Sequence, residues 1–167
     1  MQEDRTNPLP PGRIAGLDYG TKRIGVAVTD SGQRIASPLD NYQRQNEEAD
    51  ARYFRQLVQQ EQIELFVVGL PVHCSGEESQ MSAVARQFGH WLQDQTGVTV
   101  AFFDERFTTH EANQLLAAGQ LTRKARAARR DKLAAQIMLS AFLETQHSAP
   151  RPPSDLADDM RPDRPLH

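Results

Sequence analysis

The stretch Ile14-Ala15-Gly16-Leu17-Asp18-Tyr19-Gly20-Thr21-Lys22-Arg23-Ile24-Gly25-Val26-Ala27-Val28-Thr29-Asp30 is two apolar runs joined by a short turn, with one carboxylate where the first run ends. Each run has the length and the Val/Ile content of a buried strand, and Tyr19-Gly20-Thr21-Lys22 supplies the glycine that a tight reversal with positive φ needs. The stretch therefore reads as a β-hairpin with Asp18 at a strand's exit. An Asp before such a turn can simply accept hydrogen bonds from turn amides. It can also be a metal ligand or phosphate-site acid, because a strand end holds a carboxylate rigidly at the rim of a sheet, where α/β folds bind ligands.

Outward from the hairpin, 35–42 is a third strand, pushed towards the sheet edge by Pro38. Residues 50–61 carry Phe54, Leu57 and Val58 on one helical face, and 63–70 is an apolar run of strand length. Ser75 and Glu78 have capping-box spacing before Met81, Val84, Ala85, Phe88 and Leu92, which recur at helical period. Residues 98–103 form the fifth strand, which empties into Asp104-Glu105-Arg106-Phe107-Thr108-Thr109. Thr108 and Glu111 suit another capping box, before a short helix with Leu115 and Leu116 that Gly119 stops. No acid occurs from 112 to 130, where Arg123, Lys124, Arg126, Arg129 and Arg130 crowd what reads as a basic loop. Leu133, Ala134, Ile137, Met138, Ala141 and Phe142 then mark a last helix, opened by Asp131.

Three antiparallel strands followed by two crossover units give an α/β fold: a five-stranded mixed sheet flanked by helices, the ribonuclease H-like layout. At 167 residues the chain suits one domain. Residues 1–12 hold three prolines and 147–167 five, with little apolar surface, so both read as disordered tails around a domain of 13–146. The net charge of −3 conceals local asymmetry and excludes no class of partner. One cysteine, Cys74, cannot form an internal disulfide, and no signal peptide or membrane-length run is present; the expectation is a cytoplasmic protein.

Carboxylates thus gather from three places: Asp18, the pair Asp104 and Glu105, and Asp131. Asp131 precedes Ala134, Ala135 and Met138 by three, four and seven residues, so it prolongs the edge of the stripe that packs on the sheet. Taken singly, Asp131 has an alternative as a first-turn acid favourable to the helix dipole, and Glu105 as the partner of an arginine. Taken together, acids brought to one rim repel, and the usual resolutions are raised pKa values or a bound divalent cation. Hard oxygen ligands suit Mg²⁺ or Mn²⁺, and two such ions about 3.5 to 4 Å apart would drive in-line phosphodiester cleavage. Zinc is disfavoured, since His73 and Cys74 are adjacent and no second cysteine exists.

The hairpin LDYGTKRIGVAVTD, the strand end VVGLP, the run DERFTTHEA and the helix RRDKLAAQIML together resemble the YqgF (RuvX) family, over about residues 13–143. The resemblance implies a ribonuclease H-like fold related to Holliday junction resolvases and nuclease action on the 5′ end of pre-16S rRNA. The family's acidic positions fall on Asp18, Glu105 and Asp131; other characteristic positions include Gly20, Lys22, Arg23, Gly25, Gly69, Pro71, Gly76, Asp104, Arg106 and Thr108. His73 and Ser75 depart from it, standing where the family more often shows Asn and Asp. Related nucleases carry an acid at the end of strand four, whereas Val68-Gly69-Leu70-Pro71 has none, so Glu105 must substitute from strand five. If strand four separates strands one and five, that reach is roughly 10 Å at about 4.8 Å per step.

The expected function is a metal-dependent nuclease acting on structured RNA, with precursor rRNA or ribosomal particles as partner and a monomer or homodimer as the working form. Asp18, Glu105 and Asp131, with Asp104, would hold metal. Lys22, Arg23, Arg106, Thr108 and the basic segment would hold substrate. Alternatives are a junction-cutting DNA endonuclease and a ribosome-binding module with little catalysis. An ATP-dependent phosphotransferase, whose phosphate loop also resembles an Asp-x-Gly-Thr turn, would need two such domains.

Overall fold

A computed structural model describes residues 9–71, 80–105 and 123–147, the last segment with side chains from residue 133 onward. The hairpin is β1 (Arg13–Tyr19) and β2 (Arg23–Thr29), paired antiparallel with Asp18 opposite Gly25. Gly20 does not take the expected positive φ; glycine serves there because a Cβ would run into the Arg23 carbonyl oxygen. Ile14, Ala15, Leu17, Ile24, Val26 and Ala27 are all fully buried, as expected of strands covered on both faces. The third strand, β3 (Ala36–Gln43), takes the edge that Pro38 predicts, with Asn41 opposite Gly25 and a register shift near Pro38.

Helix α1 (Glu47–Glu61) starts three residues before the predicted 50. Asn46 caps it, its side chain accepting from the Ala49 N–H at 2.8 Å, and Glu47, Glu48 and Asp50 occupy the first turn, where the helix dipole favours acids. The apolar period shows only where a helix is buried, so a polar first turn is missed by that signal. The fourth strand, β4 (Ile63–Leu70), has the predicted bounds, α2 spans Gln80–Thr96, and β5 spans Val100–Asp104, one residue further than predicted at its exit. The final helix, α3, spans Arg123–His147.

The sheet order is β3-β2-β1-β4-β5, antiparallel from β3 to β1 and parallel from β1 to β5. This is the predicted five-stranded mixed sheet, and β4 does separate β1 from β5. Strand alternation assigns the two faces. Ala15, Leu17, Phe66 and Val68 pack against Phe54 and Leu57 of α1 and Phe88 and Leu92 of α2. Ile14, Ala27, Leu65, Val67 and Phe103 pack against Ala135, Met138, Leu139 and Phe142 of α3. At Gly16 an added Cβ would stand 2.8 Å from that of Leu139, so α3 lies directly on β1. Gln136 Nε2 donates to the Ala36 carbonyl at 3.1 Å and ties α3 to β3 as well.

The basic segment is a correction. Residues 123–130 are not a loop but the first two turns of α3, in which successive positions turn by about 100°. Runs of alanine among arginines and lysines have high helix propensity, which the charge count alone conceals. Asp131 accordingly does not open the helix but lies eight residues inside it. The dipole explanation for Asp131 fails with that, since the first turn of α3 holds no acid.

Outside the described residues lie the two tails up to residue 8 and from 148, the Ser75–Glu78 capping box with His73 and Cys74, and the 106–122 segment with Arg106, Thr108 and the short helix. Among the described residues no helix is long and apolar enough to cross a membrane.

Candidate active site

On β1 the residues Ile14, Gly16 and Asp18 alternate onto the α3 face, and the corresponding positions are Gly69 on β4 and Phe103 on β5. Gly69 pairs with Phe103, and the β1–β4 register, continued one step past Leu17 opposite Val68, sets Asp18 beside Gly69. Glu105 follows the last residue of β5 and shares the parity of Ala101 and Phe103, so it too belongs to this face.

Glu105 does cross β4. Its carboxyl group is hydrogen-bonded to that of Asp18, two strands away. The path runs over Gly69, where an added Cβ would stand 2.7 Å from Glu105 Oε1, 3.3 Å from Cγ and 3.4 Å from Cδ. Gly69 is not at a positive φ, so any residue could adopt its backbone; glycine serves here by leaving space. The strand that ends without an acid is therefore the one with no side chain at this point, and the Glu105 carboxyl passes through the space left there.

Burial pushes the Glu105 carboxyl above the ordinary range of 4.5, the hydrogen bond from Asp18 opposes this, and the charge of Asp104 adds to it. Two carboxyl groups in hydrogen-bond contact hold a proton between them, since the doubly ionised pair repels. Hard oxygen donors that require a positive charge between them match the donor chemistry of Mg²⁺ or Mn²⁺. Asp104, paired with Leu70, has the parity of Phe102 and so belongs to the α1/α2 face, contrary to its expected place beside Asp18 and Glu105; the described residues contain no cluster of three potential ligands, so a third donor has to come from elsewhere. Asp131 stands on α3 four and eight residues before Ala135 and Leu139, both fully buried, and Leu139 rests on Gly16, two residues from Asp18. Its helix thus lies on the same face of the sheet as Asp18 and Glu105; its side chain is outside the described residues.

The predicted substrate residues separate. Lys22 is exposed in the hairpin turn and lines a cleft on the opposite side of the sheet, with Tyr19 and Arg44. Arg23 is half-buried at the start of β2, opposite Gln43. Arg44 had no signal in the order of residues and Gly69 only its place in the family pattern, because what each does depends on strands that are distant in sequence.

Comparison with known proteins agrees with this architecture. Residues 12–145 match the family described as "RuvX: Holliday junction resolvase". A protein of Rhodopirellula baltica named "Putative pre-16S rRNA nuclease" is 48% identical over 80% of this chain and 77% of its own length. One of the same name from Koribacter versatilis is 41% identical over 80% of this chain and 87% of its own. The RuvC of Thermus thermophilus, solved in complex with a Holliday junction substrate, superposes with a TM-score of 0.52 at 14% identity, covering 83% of this chain and 98% of that one. The yeast mitochondrial Holliday junction resolvase Ydc2 gives 0.52 at 9% identity, over 85% and 82%. At such identities the two structures speak for the fold, which is ribonuclease H-like. With four-fifths of its length matched and close relatives in sequence, the chain belongs to the RuvX family.

Proposed function

We propose that this protein is a divalent-metal-dependent nuclease that hydrolyses phosphodiester bonds in structured RNA, acting on the 5′ end of pre-16S rRNA in the cytoplasm. The observation that carries this reading is the contact between Asp18 and Glu105 across the bare position of Gly69, at the rim of the sheet. Asp18, Glu105 and Asp131 would hold the ion, while Asp104 acts on the site only through the charge that Glu105 feels. When bound, Mg²⁺ or Mn²⁺ would activate water and stabilise the leaving oxygen. The chain's own task is to keep the acids together at a cost in repulsion, which supports a functional rather than a structural role.

Arg123, Lys124, Arg126, Arg129 and Arg130 open α3 at the end where the dipole disfavours cations, an arrangement of little use to folding and suited to a polyanion. Arg23, Arg106 and Thr108 are proposed as further substrate contacts, from the family pattern. The names of the sequence relatives support RNA as substrate. The family description favours a second reading, a DNA junction. The test is incubation of the pure protein with precursor rRNA and with four-way DNA junctions, each with Mg²⁺, Mn²⁺ or EDTA. Cleavage of the RNA alone, dependent on metal, is expected. Cleavage only of the junction would install the second reading, and cleavage undiminished in EDTA would remove the metal.

A further inference from the structure

The hairpin turn beside Asp18 also closes a cleft on the other face of the sheet, and the chemistry above makes no use of it. The cleft is about 670 Å³, within the range of small-ligand sites. One wall is a run of rings, Tyr19 to Phe88 at 4.8 Å and Phe88 to Trp91 at 5.7 Å between centroids. The Arg44 guanidinium lies 5.2 Å from the Tyr19 centroid and 5.9 Å from that of Phe88.

Arg44 is fixed in place. Its Nε donates to Asp50 at 3.3 Å, its Nη1 to the Tyr19 hydroxyl at 2.8 Å, and its backbone N–H to the Lys22 carbonyl at 2.9 Å. Asp50, 2% exposed, also accepts from the Tyr42 hydroxyl at 2.7 Å and the Gln45 N–H at 3.0 Å. Glu47 is engaged as well, accepting from Trp91 Nε1 at 3.0 Å. Both acids of the cleft are therefore occupied. Arg44 Nη2 meets no acceptor among the described residues, and the side chain is 29% exposed.

Lys22 and Arg44 are matched in charge by Glu47 and Asp50, so the cleft is ill suited to a bare anion. Its rim carries the exposed amides of Gln43, Gln45 and Gln87. Ring faces, a guanidinium plane and neutral amides are what an unstacked base requires: stacking on its face, and donors and acceptors along its edge. Asp18 and Tyr19 are consecutive on β1 with side chains on opposite faces, so a strand that crosses the turn at Gly20 to Lys22 reaches both places.

We propose that this cleft is a subsite for one unpaired nucleotide, supplied by the single-stranded part of the substrate next to the cleavage point. Only the source of the nucleotide rests on the nuclease reading; its recognition rests on the cleft.

Trp91 is the only tryptophan in the chain, so its fluorescence reports occupancy without metal or cleavage. The full chain in EDTA is titrated with a single-stranded RNA hexamer, the same hexamer in a duplex, and the four nucleoside monophosphates. Saturable quenching by the single strand and none by the duplex is expected. Arg44→Ala should weaken binding about tenfold or more, and Gln87→Ala about three- to tenfold. Gln87 is exposed on α2, so its variant keeps the test valid if loss of Arg44 loosens the fold. A monophosphate that binds as tightly as the hexamer supports the nucleotide chemistry and assigns it to a free nucleotide. Trp91 fluorescence unmoved by every probe, in a preparation that cleaves precursor rRNA with Mg²⁺, overturns the subsite and leaves the nuclease reading standing. Quenching without cleavage under any metal does the reverse.

Discussion

Replacing Gly69 with alanine should separate activity from stability more cleanly than replacing any of the acids. The added Cβ would stand 2.7 Å from Glu105 Oε1, which must retreat by about 0.7 Å merely to reach ordinary contact at 3.4 Å. The atom in the way is the far end of a flexible side chain, so the strand itself need not move. Gly→Ala also reduces the freedom of the unfolded chain, which stabilises by about 0.4–1 kcal/mol and offsets the displacement. Folding stability should therefore stay within about 1 kcal/mol of the parent. Activity should not, because a misplacement of about 1 Å at the reacting centre costs on the order of a hundredfold, equivalent to about 2.7 kcal/mol of barrier. The assay is the initial rate on precursor rRNA with Mg²⁺, beside a urea melt. A Glu105→Asp background supplies the control, since the shorter side chain withdraws from Gly69 and the alanine should then cost less than about twofold. Parental activity in Gly69→Ala, or an equal loss in both backgrounds, would refute the idea that Gly69 acts through Glu105.

Asp18→Asn, Glu105→Gln and Asp131→Asn should each abolish hydrolysis without lowering the melting temperature, because gathered acids contribute repulsion; a parental rate in any one removes that residue from the site. In EDTA the raised pKa of Glu105 means that the folded state binds its proton more tightly than the unfolded chain does, so this contribution to stability is complete below 4.5 and is lost as pH rises through the raised value. The melting temperature of Glu105→Gln minus that of the parent should thus increase with pH from 4.5 upward, and a difference independent of pH would contradict it. Changing Arg123, Lys124, Arg126, Arg129 and Arg130 together to Gln should weaken RNA binding and lower the slope of log affinity against log salt by roughly 2 to 4. Binding measured by anisotropy across a salt series checks this, and an unchanged slope would place the phosphate contacts elsewhere.

The strands of this protein could be read from local pattern because burial is recorded locally. Two-sided burial makes 63–70 an uninterrupted apolar run, and Pro38 can sit only at an edge. The gathering of Asp18 and Glu105 at one rim was also legible, since both stand where strands end. Where a helix starts was less so: Asn46 and the acids after it extend α1, and the arginines and alanines of 123–130 extend α3, in polar turns where no apolar period exists to be counted. What only tertiary structure decided is how the ends meet. Sheet order puts β4 between β1 and β5, and the side chain that Gly69 lacks becomes the route by which Glu105 touches Asp18. The same holds for Arg44, which is set against Tyr19 from 25 residues away and has no meaning until β3 and the hairpin share a sheet. Local sequence determines what each segment must bury, whereas a site is made of distances between segments, and those arise only when the faces are packed.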